Sequence, residues 1–223
     1  SVSEVTGALK PQSDIKFDIR TTSVTTIAHW VLATRQILSD APQLRSYIDG
    51  RRMWGLKAEE ERQLLMGAGT GTDLTGIYTA ATTYAAPITI TGATRIDQLR
   101  LAILQSSLAE IDPTAIILHP SDWAAIELSK ETSGAYLFAN PTNAMLGPRL
   151  WGLPVVPTKA LSVVGRFVVG SFSGSAQIFD RWDASILIST EDSDNFRKNL
   201  VTILAEERLA LAIYRPESFI KGT

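Results

Sequence analysis

The chain has 223 residues, 45% of them hydrophobic, which is enough to bury a substantial core in one large or two small domains. Its 21 basic and 23 acidic residues give a net charge of −2 and no electrostatic footprint of a nucleic-acid binder. The absence of cysteine excludes disulfides, thiolate catalysis and cysteine-based metal sites. No apolar run approaches the roughly 18 residues of a membrane-spanning helix, and no membrane partner is expected.

The chain begins Ser1-Val2 without an initiator methionine, which points to a processed product or a fragment. Ile15, Phe17 and Ile19 alternate with Lys16, Asp18 and Arg20, the period of a strand, after fourteen residues with little apolar material. A polar hairpin arm of this kind is marginal in water and needs a neighbouring surface, which hints at an assembly. Thr21 to Ala33 reads as extended. Asp40-Ala41-Pro42 is an N-cap and first-turn proline signal, and Leu44, Tyr47, Ile48, Trp54, Ala58 and Leu65 follow at helical spacing. The predicted helix to Met66 is about 37 Å long at about 1.5 Å per residue. Its Lys57–Arg62 stretch, KAEEER, reads as a solvated face or a subunit contact.

Gly67 to Ile77, GAGTGTDLTGI, looks at first like a phosphate cradle. Gly71 and Gly76 have Walker spacing, but Ile77 and Tyr78 stand where lysine and a hydroxyl are required, and Thr72 replaces the third glycine of a dinucleotide fingerprint. The element before it is a helix rather than a strand, so a helix stop followed by turns is the expected reading.

Downstream, the pattern predicts a strand at Ile88 to Thr91, a helix from about Thr94 to Glu110, a buried strand at Ala115 to His119 and a helix opened by Pro120-Ser121-Asp122. Punctuation by Gly and Pro from Gly134 to Pro157 precedes strands at Arg166 to Gly170, Ala176 to Asp180 and Ala184 to Ser189. Leu200 to Tyr214 fits helix and strand periods in part. The order predicts a compact α+β or α/β core. His29 and His119 lie in separate apolar segments and read as structural. No metal cluster, triad or cofactor loop emerges, so neither a cofactor nor an enzyme acting on a small substrate is expected.

The strings ALKPQSDIKF, TIAHWVLATRQILSDAP, WGLPVVPTKA, RWDASI and NLVTILAEERLALAIYRP, closing on IKGT, resemble the major capsid proteins of tailed double-stranded DNA bacteriophages of the Hong Kong type. The resemblance implies an α+β capsid fold with an extended loop, a long spine helix, a peripheral strand domain and an axial domain. It places residues 1–22 in the distal half of the loop, 23–85 and 184–223 in the peripheral domain with the spine helix at about 41–66, and 86–183 in the axial domain. A family N-terminal arm and first loop strand would precede Ser1.

The same resemblance implies a phage or prophage shell subunit, assembling as hexamers and pentamers in the bacterial cytoplasm around double-stranded DNA held without sequence-specific contacts. A portal, a scaffold and a maturation protease are its implied partners. It also implies an isopeptide crosslink between subunits: Lys10 as the nucleophilic amine, Asn199 as the amide, Glu206 as the base, and Leu204 and Trp182 as apolar walls. An amine attacks only when neutral, and an apolar site lowers a buried lysine's pKa by up to about 3–5 units. Read without the resemblance, Lys10 is an exposed loop lysine, Asn199 a strand-end or cap residue and Glu206 a partner for Arg208 or Arg215. An encapsulin-like bacterial shell around protein cargo is the alternative.

Overall fold

The computed structural model describes residues 19, 21–36, 42–130 and 147–223, with the side chains of 42–49 and 52 left aside. In chain order the elements are β1 (Thr25–Thr34), α1 (Pro42–Met66), α2 (Ile77–Ala80), β2 (Thr82–Thr83), α3 (Arg95–Leu108), β3 (Ala115–Leu118), α4 (Pro120–Glu127), β4 (Arg149–Leu150), β5 (Leu153–Pro157), β6 (Phe167–Gly170), β7 (Ala176–Ser189), α5 (Asn195–Lys198), β8 (Leu200–Ile213) and β9 (Phe219–Gly222).

Two sheets organise these elements. The first has three antiparallel strands in the order β1-β8-β7, and the second has six in the order β2-β9-β6-β3-β5-β4. The long Leu200–Tyr214 pattern resolves as the central strand of the first sheet, because its apolar residues alternate in burial from Val201 to Leu209. A period of two buries one face of a strand, and here that face lies under α1. Ala205, Leu209 and Ile27 pack with Leu56 of the helix and Leu74 beyond it. The two strands predicted between Ala176 and Ser189 are one strand, kept in register with β8 through shifts at Trp182 and between Trp182 and Ser185. β7 runs across residue 183, and β9 joins the second sheet rather than the first.

The second sheet buries Ile116, Leu118, Phe167, Val169 and Ile220 against Leu99 and Ala102 of α3. Each fully buried aliphatic or aromatic side chain of this kind contributes about 1.5–3 kcal/mol by leaving water. α3 starts at Thr94, whose hydroxyl accepts from the Asp97 amide while the Asp97 carboxylate accepts from the Thr94 amide at 2.8 Å. These reciprocal bonds satisfy two otherwise orphaned donors. α4 starts at His119, whose Nδ1 accepts from the Ser121 amide at 3.2 Å, so this histidine is a helix cap.

The strand expected at Ile88 to Thr91 is absent; the segment runs from a bend at Ile88 through irregular backbone to a turn at Thr91, and the nearby strand is the two-residue β2, parallel to β9. Four alternating residues did not suffice there: Ile88 and Ile90 are both exposed, so the segment buries no apolar face among the described residues. The Asp40 cap signal lies outside the described residues.

The glycine segment ends α1 and closes on itself. The Gly67 amide donates to Gln63, the Gly69 amide to Leu74 and the Gly76 amide to Gly67, at 2.9–3.0 Å. Gln63, buried at the end of the helix, donates to Asp73 at 2.9 Å and accepts from the Leu74 amide at 3.2 Å. A Cβ at Gly67 would stand 2.1 Å from the Leu74 carbonyl oxygen, so that position is glycine because the loop folds back against it. These amides are committed to protein acceptors, and none of the three is free to cradle a phosphate.

Candidate crosslinking site

The site is built on β8. Because side chains alternate along a strand, Leu204, Glu206 and Arg208 share the outer face of the three-stranded sheet, half-buried, while Ala205, Glu207 and Leu209 face the helix. Cross-strand pairing places Ala28 of β1 and Ser185 of β7 on either side of Glu206. Both are small, which leaves the carboxylate reachable from outside. Trp30 and Leu187 flank Leu204 in the same way. Trp182 pairs with Arg208, whose guanidinium lies over the indole at 5.4 Å.

The outer face is apolar and open. Trp30, Trp182 and Leu187 are 59%, 54% and 52% exposed. An exposed apolar patch around a carboxylate is costly for a free subunit and is the usual mark of a surface that meets another protein.

Asn199 stands at the other end of this half of β8. It caps α5 in the left-handed conformation, φ 52° and ψ 37°, and is exposed. Its carbonyl accepts from the Arg35 amide at 2.9 Å, which ties the cap to the end of β1. At about 3.3 Å per strand residue, Asn199 and Glu206 of one chain are roughly 20 Å apart. One subunit therefore brings Glu206, Leu204 and Trp182 to one face but does not bring Asn199 to Glu206. Lys10 lies outside the described residues.

Sequence reasoning missed Ala28, Trp30, Ser185 and Leu187 as neighbours, since cross-strand register is not written in either strand alone. It also missed Glu207. That residue is 5% exposed, with Oε1 buried and without a hydrogen-bond partner among the described residues. Burial, then the nearby Glu60 and Asp180 carboxylates, push its pKa up to about 7, with Lys57 opposing. The adjacent pair Glu206-Glu207 on a period-two strand was the available signal: one of the two had to face inward.

Comparison with solved structures supplies the class. The chain matches a chain from Gordonia phage Cozz with a TM-score of 0.72 at 15% identity, covering 99% of this chain and 76% of that one. It matches the capsid of an empty GTA particle with a TM-score of 0.74 at 17% identity, over 98% of this chain and 78% of that one. At these identities the likeness is one of fold, and it is the fold seen in phage and GTA particle chains. The profile of the phage capsid family matches residues 1–223, and the chain belongs to that family. It is 51% identical over 216 residues to the major capsid protein of Enterobacteria phage HK97, covering 97% of this chain and 56% of that protein. The chain thus spans little more than half the length of that relative.

Proposed function

We propose that this chain is the main body of a structural subunit of an icosahedral phage or prophage shell that encloses double-stranded DNA, assembled in the host cytoplasm. The 51% identity to a phage major capsid protein across 97% of the chain carries this reading. In it, the three-stranded sheet and α1 are the peripheral domain and spine helix, and the six-stranded sheet is the axial domain. Hexamers and pentamers form the shell, with a portal, a scaffold and a protease as assembly partners. Sedimentation of the full-length parent protein tests the reading: a giant particle supports it, and small species under every assembly condition would refute it. The encapsulin-like alternative gains no support from the relatives found.

The shell is covalently self-crosslinked. The neutral Lys10 amine of one subunit attacks the side-chain carbonyl carbon of Asn199 in a second. Glu206 of a third accepts the amine proton, a carbon–nitrogen bond forms, and ammonia leaves, giving an isopeptide. The roughly 20 Å between Asn199 and Glu206 along one strand supports a site shared among copies. The apolar outer face around Glu206 would exclude water once a neighbour covers it. Denaturing gels of assembled particles test the chemistry. A ladder of covalent multimers that disappears in Lys10→Ala is expected, and its absence from the unmutated protein would refute crosslinking.

A further inference from the structure

One face of the second sheet meets α2, where Val168 of β6 and Phe219 of β9 pack with Ile77 in the core. Side chains two residues apart on a strand share a face. Arg166 precedes Val168 by two, and Lys221 follows Phe219 by two and pairs directly with Val168. The two cations are therefore diagonal neighbours on the α2 side, about 7–8 Å apart. Both reach Tyr78 of α2: the Arg166 guanidinium carbon lies 5.2 Å from the ring centroid and the Lys221 Nζ 5.4 Å. The ring's negative face offsets part of the repulsion between them.

Neither cation is neutralised. Among the described residues, no carboxylate forms an ion pair with either one. Lys221 Nζ donates once, to the Thr79 carbonyl at 3.1 Å, and Arg166 Nη1 reaches the Ser162 hydroxyl only at 3.5 Å. Arg166 Nε is buried without a partner among the described residues; Nη2 also makes no hydrogen bond there and is open to solvent. Asp122, the acid bonded to this loop, is occupied by the Gly165 amide at 2.7 Å.

We propose that Arg166 and Lys221, held on Tyr78, form a phosphate-binding site, with Arg166 Nη2 and the open donors of Lys221 Nζ directed at the phosphate oxygens. Charge selects this class. Two unpaired cations match the roughly −1.5 to −2 of a phosphate monoester near neutral pH, or two successive phosphates of a nucleic-acid backbone. A single carboxylate would leave one cation uncompensated. A guanidinium also fits the geometry of phosphate oxygens, and an ammonium serves as a point charge beside it. The phosphate has two sources, free phosphate or the phosphodiester backbone of enclosed DNA, and only the second rests on the shell reading.

NMR titrations of the 223-residue chain with sodium phosphate, sodium acetate and a short DNA duplex, at pH 7.5 and constant ionic strength, test the site. Phosphate is expected to shift the Arg166 Nε–H and Tyr78 ring resonances and to bind at least about tenfold tighter than acetate. Arg166→Gln and Lys221→Gln should each weaken phosphate binding about tenfold. Arg197→Gln, at a surface cation already paired with Asp194, should not. Arg166→Lys, which keeps the charge and loses the fork, should fall between, and amide spectra unchanged elsewhere show that each variant is folded. A duplex that shifts the same resonances in competition with phosphate assigns the source to nucleic acid; one that leaves them unmoved assigns it to free phosphate. Equal affinity for phosphate and acetate, no shift at Arg166 or Tyr78, or undiminished binding in both folded Gln variants would overturn the proposal. A parent protein that sediments as a giant particle while this chain shows no phosphate shift would overturn this site alone.

Discussion

Glu206 and Glu207 are adjacent on the central strand β8 yet face opposite sides of the sheet: the first is half-buried on the outer face, the second 5% exposed beneath α1. Two identical side chains thus enter two chemistries. Glu206 opens to a surface where another subunit would stand. Glu207 is a buried acid facing Glu60 and Asp180, and it couples the packing of helix on sheet to pH.

Stability should fall as pH rises through the window set by Glu207. Its folded pKa, about 7, lies above the ordinary value of 4.5, so the folded state holds the proton more tightly than the unfolded chain. Its contribution is therefore full below about pH 4.5 and is lost as pH rises to about 7. Urea midpoints measured between pH 5 and 8 should decline in the unmutated chain. In Glu207→Gln they should be flatter, with a relative gain of about 2 kcal/mol at pH 8.

The turn after α1 offers a contrast between two glycines. At Gly67 a Cβ would stand 2.1 Å from the Leu74 carbonyl oxygen and 2.6 Å from that of Gln63, both backbone atoms. At Gly71 nothing lies within 4 Å, and only its φ of +65° disfavours a side chain. Gly67→Ala should cost about 3 kcal/mol or more, and Gly71→Ala about 1 kcal/mol, read as shifts in the denaturation midpoint.

Thr94→Ala removes the hydroxyl that accepts from the Asp97 amide at the start of α3 and should cost about 1 kcal/mol. Thr94→Ser should recover most of that loss. Because Asp97 is held below the usual carboxylate range by bonds from the Thr94 amide and hydroxyl, the cap should also weaken as the medium becomes acidic enough to protonate it. Comparing thermal midpoints of the two variants at neutral and acidic pH checks both statements.

If each crosslink takes its lysine and its asparagine from different subunits, particles co-assembled from Lys10→Ala and Asn199→Ala subunits should form covalent dimers and nothing larger. One variant supplies only the amide, the other only the amine. Particles of either variant alone should show no covalent bond, and Glu206→Gln particles should assemble but crosslink at least about 100-fold more slowly. Denaturing gels over time give the answer. A ladder from the mixed particles would contradict this arrangement.

Much of the architecture was legible in the residues. Pro42 and the spacing from Leu44 to Leu65 marked the long helix, Thr94 with Asp97 marked the start of α3, and Pro120 marked α4, because caps and fixed φ angles act within a few residues. The failures had a common cause. Ile88 to Thr91 alternates as a strand does but pairs with no strand among the described residues; Leu200 to Tyr214 carried two periods, and only pairing with β1 and β7 selected one. Among the site residues, Glu206, Leu204 and Trp182 converge on one face, whereas Asn199 lies roughly 20 Å along the strand from Glu206.

By itself the sequence determined the helix boundaries, the helix stop at the glycine segment and the kinship with phage shells, since these rest on local backbone preferences and on long shared strings. Tertiary structure alone decided which of two adjacent glutamates is buried and which small residues flank the other. It also decided that Arg166 and Lys221 meet at Tyr78. Each of these depends on register and packing between segments far apart in the chain, where a one-residue slip would exchange every inward side chain for its outward neighbour.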